Sequence, residues 1–343
     1  GIPCIWDRLV QQCIKQILEP ICEAKFSNNS YGFRPNRSVE HAISRTYSLL
    51  QRAHLHYVLE FDIKGFFDNV NHGKLLKQMW TLGIRDKKLL SIISAMLKAE
   101  VAGIGFPEKG TPQGGIISPL LSNIVLNELD WWIVSQWEEM PTQRNYVHRI
   151  YANGTPDKSS TFRTLRNYTN LKECYVVRYA DDFKIFCRHR SHAERIFAAT
   201  QKWLWERLSL EISPEKSRIT NLRKGYSEFL GIKIKVRPKG KKSGRNTKKK
   251  RFVVSARLGD KAKGKILHEV RKQVKSMQNP KPNEGDIYVN NYNAYVIGVH
   301  NYYSCATECS MDFAKIAFLS RSALKNRLKT RKRRARELLP AYF

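Results

Sequence analysis

The sequence lacks the long apolar segment that would carry a chain across a membrane. No stretch of about 18 consecutive apolar residues occurs in it. The chain also does not open with a charged segment followed by an apolar one, which is the pattern of a secretory signal peptide. These absences predict a protein without a membrane partner.

Paired cysteine motifs are absent as well. The 7 cysteines are odd in number, and no two of them form a Cys-x-x-Cys pair. Neither a disulfide framework nor a zinc ribbon is therefore indicated. A reducing intracellular compartment fits this pattern.

Acidic residues are scarce. Asp and Glu number 30 against 61 Lys and Arg, which gives a net charge of +31, while hydrophobic residues make up 42% of the chain. That apolar content is enough for a globular core. Such a basic surplus on a folded chain indicates a polyanionic partner, most often nucleic acid. An anionic membrane surface is the alternative.

Two of the few acidic residues are adjacent. Asp181 and Asp182 lie between two short runs of β-branched and aromatic residues, 176–179 and 183–186, which predicts strand, tight turn, strand. Like charges held together in an apolar frame repel, and a divalent cation relieves that repulsion. The stretch therefore predicts a metal site with a third acidic ligand elsewhere. An exposed turn, where Asp is common, explains this stretch alone equally well.

Asp62 is the candidate third ligand. It ends a predicted strand over residues 57–63, and Phe66 and Phe67 follow it closely. If the three strands share one sheet, the carboxylates of Asp62, Asp181 and Asp182 can converge on two cations. Two-metal sites drive in-line phosphoryl transfer, and Mg²⁺ suits ligands that are all oxygen.

A shaped loop and several basic segments complete the pattern. Glycines and prolines crowd residues 109–119, so the backbone N–H of Gly114 and the amide of Gln113 can face a ligand. Residues 138–172 are predicted to be a surface insertion. Helices are predicted over about 260–277, 287–307 and 311–337. The loop over residues 28–38, which contains Arg34, suits phosphate contact.

The basic segments are candidate RNA contacts. A strand over residues 226–236 carries lysines opposite an apolar face, which suits a sheet edge beside a phosphodiester chain. The low-complexity loop over residues 237–251 is predicted either to bind RNA non-specifically or to increase the solubility of the protein. The last predicted helix is strongly basic. The predicted RNA-binding residues are Lys233, Lys235, Lys249, Lys250, Arg251, Arg327 and Arg331.

Five motifs occur in a fixed order. They are Ser-Tyr-Gly-Phe-Arg-Pro at 30–35, Phe-Asp-Ile-Lys-Gly-Phe-Phe-Asp at 61–68, Thr-Pro-Gln-Gly-Gly at 111–115 with Ser-Pro-Leu-Leu at 118–121, Tyr-Ala-Asp-Asp at 179–182, and Phe-Leu-Gly at 229–231. With these motifs the chain resembles the reverse transcriptase/maturase proteins encoded by bacterial group II introns, over nearly its whole length.

The resemblance implies an α+β fold. In that family a right-hand polymerase has fingers and an antiparallel-sheet palm, here residues 1–255, followed by an α-helical thumb called maturase domain X, here residues 256–343. It also implies that the chain starts after the family's N-terminal extension and ends before its DNA-binding and endonuclease regions. We therefore expect weak nucleotide binding and no endonuclease activity.

The resemblance also implies residue roles. Asp62, Asp181 and Asp182 would bind two Mg²⁺ ions, which Mn²⁺ can replace, together with the carbonyl of Ile63. Phe67 would exclude a 2′-hydroxyl, and Lys216 would act as the general acid for pyrophosphate. The implied nucleotide contacts are Gln113, Gly114 and Arg34, and the implied primer grip is Leu230 and Gly231.

The implied partners are group II intron RNA, an RNA template with a DNA primer, and deoxynucleoside triphosphates, in the bacterial cytoplasm. A homodimer is left open. Two alternatives stay open as well. One is a reverse transcriptase of the retron, diversity-generating or CRISPR-linked class. The other is an RNA-binding splicing factor without polymerase activity.

Overall fold

The computed structural model describes the chain at residues 3–51, 53–101, 103, 105–112, 114–144, 146–152, 156–239, 251–278 and 285–327. Within those ranges no helix is both long and apolar enough to cross a membrane.

The chain divides into two compact units, Gly1–Asn221 and Leu222–Phe343. The sequence-based boundary at residues 255 and 256 falls inside the second unit. The assignment of the two parts to fingers with palm and to thumb stays a prediction. The second unit begins before that boundary because the strand Arg251–Leu258 packs with the helices that follow it and pairs with the strand Ile232–Lys239.

The first unit contains helices that surround an antiparallel sheet. Its helices are α1 (Ile5–Glu23), α2 (Val39–Gln51), α3 (Phe66–Asn69), α4 (His72–Thr81), α5 (Lys87–Leu97), α6 (Ser118–Gln136), α7 (Ser159–Tyr168) and α8 (Arg190–Trp203), the last continuing into a π-helical turn, Leu204–Leu208. Its strands are β1 (Tyr57–Phe61), β2 (Cys174–Tyr179), β3 (Asp182–Cys187) and β4 (Arg218–Asn221).

The sheet of the first unit has the strand order β2-β3-β1-β4, and each neighbouring pair is antiparallel. Strands β1, β2 and β3 are rich in buried apolar residues, with Val58, Leu59, Val176, Val177 and Ile185 at 1% exposure or less. Strands buried on both faces lose the alternation of apolar and polar residues. The strand order brings β1 beside β3, as the sequence-based convergence of Asp62 with the Asp pair requires.

Helix α6 lies in the core, as its apolar sequence predicts. Both Leu126 and Leu129 are fully buried. Pro119 occupies the first turn, where its missing N–H costs nothing. Ser118 lies inside the helix, and its hydroxyl donates to the Pro112 carbonyl at 2.7 Å. The loop of residues 112–118 is thereby tied to the start of α6.

The predicted insertion over residues 138–172 contains an ordered helix, α7, anchored to the sheet. The Phe162 ring meets the Tyr175 ring edge-on with centroids 5.9 Å apart, and Leu165 is 1% exposed. Arg166 donates to the Glu173 carboxylate at 2.6 Å. These contacts fix α7 against the start of β2.

The second unit joins a small sheet to a helical bundle. Its elements are β5 (Ser227–Phe229), β6 (Ile232–Lys239), β7 (Arg251–Leu258), α9 (Asp260–Gln278), α10 (Gly285–Tyr303) and α11 (Cys309–Arg327), and the strand order is β5-β6-β7. The three helices confirm the helical pattern predicted after residue 260. Leu258 at the end of β7 belongs to the same apolar core as Ile266, Tyr292 and Phe313.

The structure corrects the single strand predicted over residues 226–236. Leu230 and Gly231 both have positive φ, +53° and +75°, and form the two-residue turn of a β5–β6 hairpin. Strand β6 consequently lies in the middle of its sheet and not at an edge. Lys233 and Lys235 are therefore on a central strand, where both ammonium groups lie over the Tyr226 ring.

Candidate active site

The acidic hairpin forms as predicted. Tyr179 pairs with Asp182, so Ala180 and Asp181 are the two turn residues between β2 and β3. Ala180 has a φ of +58°, a left-handed conformation that costs a residue with a Cβ about 1–2 kcal/mol. The surrounding contacts must therefore hold this turn in place.

The strand register brings Asp62 to the hairpin. Strands β1 and β3 pair with Phe61 opposite Phe183, so the next residue of each strand in that register is Asp62 and Asp182. The backbone N–H of Asp62 donates to the Ser217 hydroxyl at 3.1 Å, and its carbonyl accepts from Ser213 N–H at 2.8 Å. Asp62 is thus held between the sheet and the loop of residues 213–217.

The three carboxylates share one end of the sheet without forming a closed ligand cluster. Among the residues that the structure describes, no three His, Cys, Asp or Glu side chains are grouped so as to hold a metal ion. The donors nevertheless fit a hard divalent cation, because all are carboxylate oxygens. Asp62 and Asp182 keep 44% and 41% of their side chains exposed. A cation can therefore reach them from solvent.

The environment of Asp182 disfavours its negative charge. Desolvation raises the pKa of its carboxyl, and the charges of Asp181 and Glu60 add to that rise, while Lys184 opposes it. The Lys184 ammonium lies 3.6 Å from Asp182 Oδ1 and is 8% exposed. A bound cation would relieve the repulsion between the carboxylates. Sequence reasoning missed Lys184, which alternates with apolar residues in a strand and resembles an outward-facing lysine.

Lys216 meets the acidic group directly. Its ammonium lies 3.3 Å from Asp62 Oδ2, and 64% of its side chain is exposed. The backbone N–H of Lys216 donates to the Ser213 carbonyl, within the loop that also holds Asp62. The structure therefore brings Lys216 and Asp62 together, while the role of Lys216 as a general acid stays a prediction.

A buried arginine fixes the hairpin turn. Arg178 has no exposed surface, and its guanidinium donates to both carboxylate oxygens of Asp130 at 2.7–3.0 Å. It also donates to Asn123 Oδ1 at 2.9 Å and to the Ala180 carbonyl at 2.8 Å. Because Ala180 is the strained turn residue, Arg178 ties the position of Asp181 to helix α6.

The loop of residues 29–32 packs against the same turn. Tyr31 N–H donates to the Arg178 carbonyl, and Arg178 N–H donates to the Asn29 carbonyl. A Cβ on Gly32 would lie 2.2 Å from the Ala180 nitrogen, which no side chain can tolerate. The glycine of the first motif is therefore required by the close approach of this loop to the acidic hairpin.

Phe67 lies on the short helix α3, next to the predicted nucleotide loop. Thr111 N–H donates to the Phe67 carbonyl at 2.7 Å, and Gly110 N–H donates to the Val70 carbonyl at 2.7 Å. The Phe67 side chain is half-buried, while Phe66 is in the core at 2% exposure. The partial exposure of Phe67 leaves part of its ring available to a ligand.

The glycine-rich loop is shaped by a residue that the sequence did not single out. The Gln11 side-chain carbonyl, in α1, accepts from Ile116 N–H at 2.8 Å. Gly114, in this loop, is exposed and has a φ of +85°. Outside the loop, the predicted metal-binding residue Ile63 is buried and forms an isolated β-bridge with Ile212. Gln113 lies outside the described residues.

Arg34 has internal partners. It is 8% exposed, and its guanidinium donates to the Glu23 carboxylate and to the Ser27 and Ser30 carbonyls. These contacts engage its nitrogens within the protein. We therefore leave Arg34 out of the nucleotide site proposed below.

The predicted primer-grip residues form the turn between β5 and β6. The Tyr302 hydroxyl donates to the Leu230 carbonyl at 3.3 Å, and Gly259 N–H donates to the Gly231 carbonyl at 2.7 Å. A Cβ on Gly231 would lie 3.1 Å from the Tyr303 hydroxyl. The end of α10 therefore supports this turn from within the second unit.

The predicted RNA-binding residues are only partly described. Lys233 pairs with Asp260, and Lys235 is half-exposed. Arg251 begins β7 and Arg327 ends α11. Lys249, Lys250 and Arg331 lie outside the described residues.

Comparison with known proteins shows which family the sequence matches. The sequence model of the family described as "Reverse transcriptase (RNA-dependent DNA polymerase)" matches residues 1–234. Protein YkfC of Escherichia coli strain K12 is 33% identical over 242 residues, which cover 68% of this chain and 62% of that protein. The group II intron-encoded protein LtrA of Lactococcus lactis subsp. cremoris is 32% identical over 288 residues, covering 73% of this chain and 46% of LtrA.

A more distant relative aligns over more of the chain. The putative COX1/OXI3 intron 1 protein of Saccharomyces cerevisiae is 26% identical over 342 residues, covering 88% of this chain and 40% of that protein. The chain thus spans less than two thirds of the length of each of these relatives.

Proposed function

Since the chain belongs to the reverse transcriptase family, we propose that it is the RNA-directed DNA polymerase of a group II intron and that it assists splicing of the intron as a maturase. The observation that carries the polymerase proposal is the β1–β3 register, which aligns Asp62 with Asp182 beside Asp181. These residues lie inside the stretch that the family model matches. The maturase role is supported by the relatives that are described as intron-encoded proteins.

Reverse transcriptases generally use divalent metal ions, and Asp62, Asp181 and Asp182 are the residues that would hold two Mg²⁺ ions, or Mn²⁺ in their place, together with the carbonyl of Ile63. Bound there, the ions would activate the primer hydroxyl and neutralise the charge of the leaving pyrophosphate. Oxygen-only donors and the charge-disfavouring environment of Asp182 support this assignment.

The chain's own residues would then supply orientation and protons. Lys216, paired with Asp62, would donate a proton to the leaving pyrophosphate. The half-buried Phe67 ring would lie against the sugar of the incoming nucleotide and exclude a 2′-hydroxyl. Gln113 and Gly114 would contact that nucleotide, and Leu230 and Gly231 would hold the primer end.

The proposed substrates are deoxynucleoside triphosphates and an RNA template with a DNA primer, and the proposed further partner is the group II intron RNA. We place the protein in the bacterial cytoplasm. A homodimer stays a prediction.

Primer extension tests the proposal. The chain is incubated with poly(rA)–oligo(dT), dTTP and Mg²⁺, and we expect the labelled primer to lengthen. Asp181→Asn removes one metal ligand, and a loss of several kcal/mol of transition-state stabilisation lowers the rate by about a hundredfold or more. Loss of extension on chelation with EDTA, restored by Mg²⁺, is expected as well.

Asp86→Asn is the matched control. Asp86 caps α5 by accepting from Lys88 and Leu89 N–H, and Asn caps helices about as well as Asp. The control should therefore extend the primer at the wild-type rate. An Asp181→Asn variant that keeps most of its activity would contradict the metal assignment.

A further inference from the structure

The first unit carries a groove along helix α2 that the polymerase proposal does not use. Two concave regions, of about 430 Å³ and about 580 Å³, share Arg45 and Ser48 as lining residues. The smaller one is also lined by Arg37 and the larger one by Arg163. Because they share residues of one helix, the two regions form a continuous surface, the α2 groove.

The exposed stripe of α2 gives the groove a polar floor. His41, Ser44, Arg45 and Ser48 follow the spacing that places side chains on one face of a helix. The opposite face is apolar, with Ile43 and Leu50 in the core, and the buried Leu49 lines the edge of the larger region. The groove follows α2 from His41 to Leu49, which at about 1.5 Å per residue is roughly 12 Å.

Basic side chains outnumber acidic ones around the groove. Glu138 and Glu139 are already paired, with Arg45 at 3.2 Å and with Lys158 at 2.9 Å. Within the described part of the chain, the hydrogen bonds of Arg37 go to the neutral Asn28. Arg163 is exposed and has no hydrogen bond or ion pair with any residue in the described part of the chain. Two arginine charges therefore face the groove without a carboxylate partner.

Aromatic rings hold two of the arginines in place. The Arg37 guanidinium lies over the Tyr31 ring at 5.6 Å, and the Arg45 guanidinium lies over the Tyr175 ring at 5.9 Å. Both tyrosines are buried, at 7% and 5% exposure. A guanidinium stacked on a fixed ring offers its N–H groups to an anion at a lower cost in conformational freedom.

The groove extends away from the acidic hairpin. The larger concave region reaches Tyr175, which precedes the turn residue Ala180 by five positions in β2 and the turn. At about 3.3 Å per residue this separates the two by roughly 16 Å. A ligand in the larger region therefore occupies space that the reacting groups do not need.

We propose that the α2 groove binds a single strand of RNA through its phosphodiester backbone, as a second RNA site beside the catalytic one. Its length, its surplus of cations and its stacked arginines suit a chain of phosphates. The site extends the proposed function by naming a surface for RNA, and binding there does not require polymerase activity.

Salt-dependent binding tests the groove. A labelled single-stranded oligo(U) RNA, without primer and in EDTA, is titrated with the full chain at several salt concentrations. Arg37→Gln/Arg163→Gln removes one charge from each concave region. We expect weaker binding and a slope of log K against log salt that falls by about 1.4, which is about 0.7 for each phosphate that the variant no longer neutralises.

Arg195→Gln/Lys202→Gln is the control of equal charge. Both residues are exposed on α8, and neither lines the groove. The control should keep the wild-type slope. A groove variant that binds like the wild type, or a control whose slope falls as far, would overturn the proposal. If the arginines affect binding of a poly-glutamate peptide but not of RNA, the groove serves an acidic protein and the proposal is wrong.

Two further measurements distinguish loss of RNA binding from misfolding and from a failure of the proposed polymerase. Arg163→Gln alone changes an exposed side chain and should lower the slope by about 0.7 even if the Arg37 change impairs folding. Primer extension on a short poly(rA)–oligo(dT) duplex should be unchanged in the groove variants. Failure of the wild-type chain to extend any primer would instead count against the proposed polymerase.

Discussion

Arg178 illustrates how a single buried charge can position the turn that carries Asp181. The side chain is fully buried with Asp130, so neither charge is hydrated. Breaking such a pair by removing one partner costs about 3–5 kcal/mol, whereas replacing both partners with apolar residues is often nearly neutral. The stability effect of the ion pair can therefore be separated from the effect of the hydrogen bond to the Ala180 carbonyl.

We predict that Arg178→Met lowers thermal stability strongly and that Arg178→Met/Asp130→Leu recovers much of it. Primer extension should stay low in both variants, because neither supplies a donor to the Ala180 carbonyl. Melting is followed by near-ultraviolet circular dichroism, and extension is measured at a temperature where both variants are folded. A double variant that extends like the wild type would limit Arg178 to a structural role.

At the residue scale, the sequence predicted the three acidic residues but not the charged side chains that surround them. Asp62, Asp181 and Asp182 are conspicuous because carboxylates are scarce and follow apolar strands. Arg178 and Lys184 lie in those same strands, where a single cation resembles an outward-facing residue. Their partners are distant in sequence, since Asp130 precedes Arg178 by 48 residues. Burial of a charge depends on such partners, so no local pattern predicts it.

At the element scale, the β5–β6 turn contains a residue that is unfavourable for the stability of the turn. A two-residue turn with positive φ at both positions favours Asn followed by Gly. Leu230 instead occupies the first position, with a φ of +53°. The sequence suggested one continuous strand because Leu-Gly is a weak turn signal between runs of apolar and charged residues. A leucine in a conformation that disfavours it is a candidate for a functional side chain.

We predict that Leu230→Asn raises the melting temperature and lowers primer extension. Asn tolerates the left-handed conformation, so stability should rise by about 0.5–1 kcal/mol. The side chain that we propose to contact the primer is removed, so the KM for the primer–template duplex should increase. Unchanged extension would remove Leu230 from the primer grip.

Gly231→Ala is the companion variant for that turn. It strains a φ of +75° and brings a Cβ to 3.1 Å from the Tyr303 hydroxyl. Stability should fall, and Tyr303→Phe should restore only the part due to that contact. If Gly231→Ala is as stable as the wild type, the assigned turn geometry is wrong.

Helix α7 is fastened by a carboxylate that responds to acid. Glu173 is 3% exposed between Arg166 and Arg188. Desolvation alone would raise the pKa of its carboxyl, but the hydrogen bonds and charges of the two arginines outweigh it and lower the pKa. A carboxyl with a lowered pKa stabilises the fold above its unfolded value of about 4.3, and that stabilisation is lost as the pH falls from there toward the folded value.

We therefore predict that Glu173→Gln lowers the melting temperature at pH 7, by the loss of about 2 kcal/mol of charge-assisted hydrogen bonding. The gap between wild type and variant should narrow as the pH falls below about 4.3, because the carboxyl is protonated first in the unfolded chain and only at lower pH in the folded protein. Melting curves from pH 7 to pH 3 measure the gap. A gap that is constant or widens as the pH falls would contradict the lowered pKa.

At the scale of the whole molecule, composition and motif order predicted the family and the fold class. The ordered motifs predicted the α+β reverse transcriptase fold, and the family model confirms this prediction. The resemblance implied a domain boundary at residues 255 and 256. Periodicity reports the secondary structure of a segment and not the neighbours that it packs against. The second compact unit begins at Leu222, and the functional boundary at residues 255 and 256 stays a prediction.

The second unit provides a test of that grouping. Strands β6 and β7 pair from Ile232 with Leu258 to Lys239 with Arg251. Strand β7 also joins the helices: Glu308 N–H donates to the Ala256 carbonyl at 2.9 Å, and Leu258 N–H donates to Asp312 at 3.0 Å. A fragment of residues 222–343 retains all of these bonds. A fragment of residues 256–343 lacks β6 and the start of β7, which leaves backbone groups of residues 256–258 without their strand partners.

We predict that the fragment of residues 222–343 folds cooperatively and that the fragment of residues 256–343 does not. Unpaired backbone groups and an exposed apolar edge cost several kcal/mol, which is a large part of the stability of a domain this small. Thermal melts followed by circular dichroism, and the dispersion of amide resonances in two-dimensional NMR spectra, distinguish the outcomes. Cooperative unfolding of the shorter fragment would support the boundary at residue 256. If only the longer fragment folds, the proposed primer-grip turn and the helical bundle belong to one independently stable unit. The core of that unit contains Leu258 together with residues of the three helices.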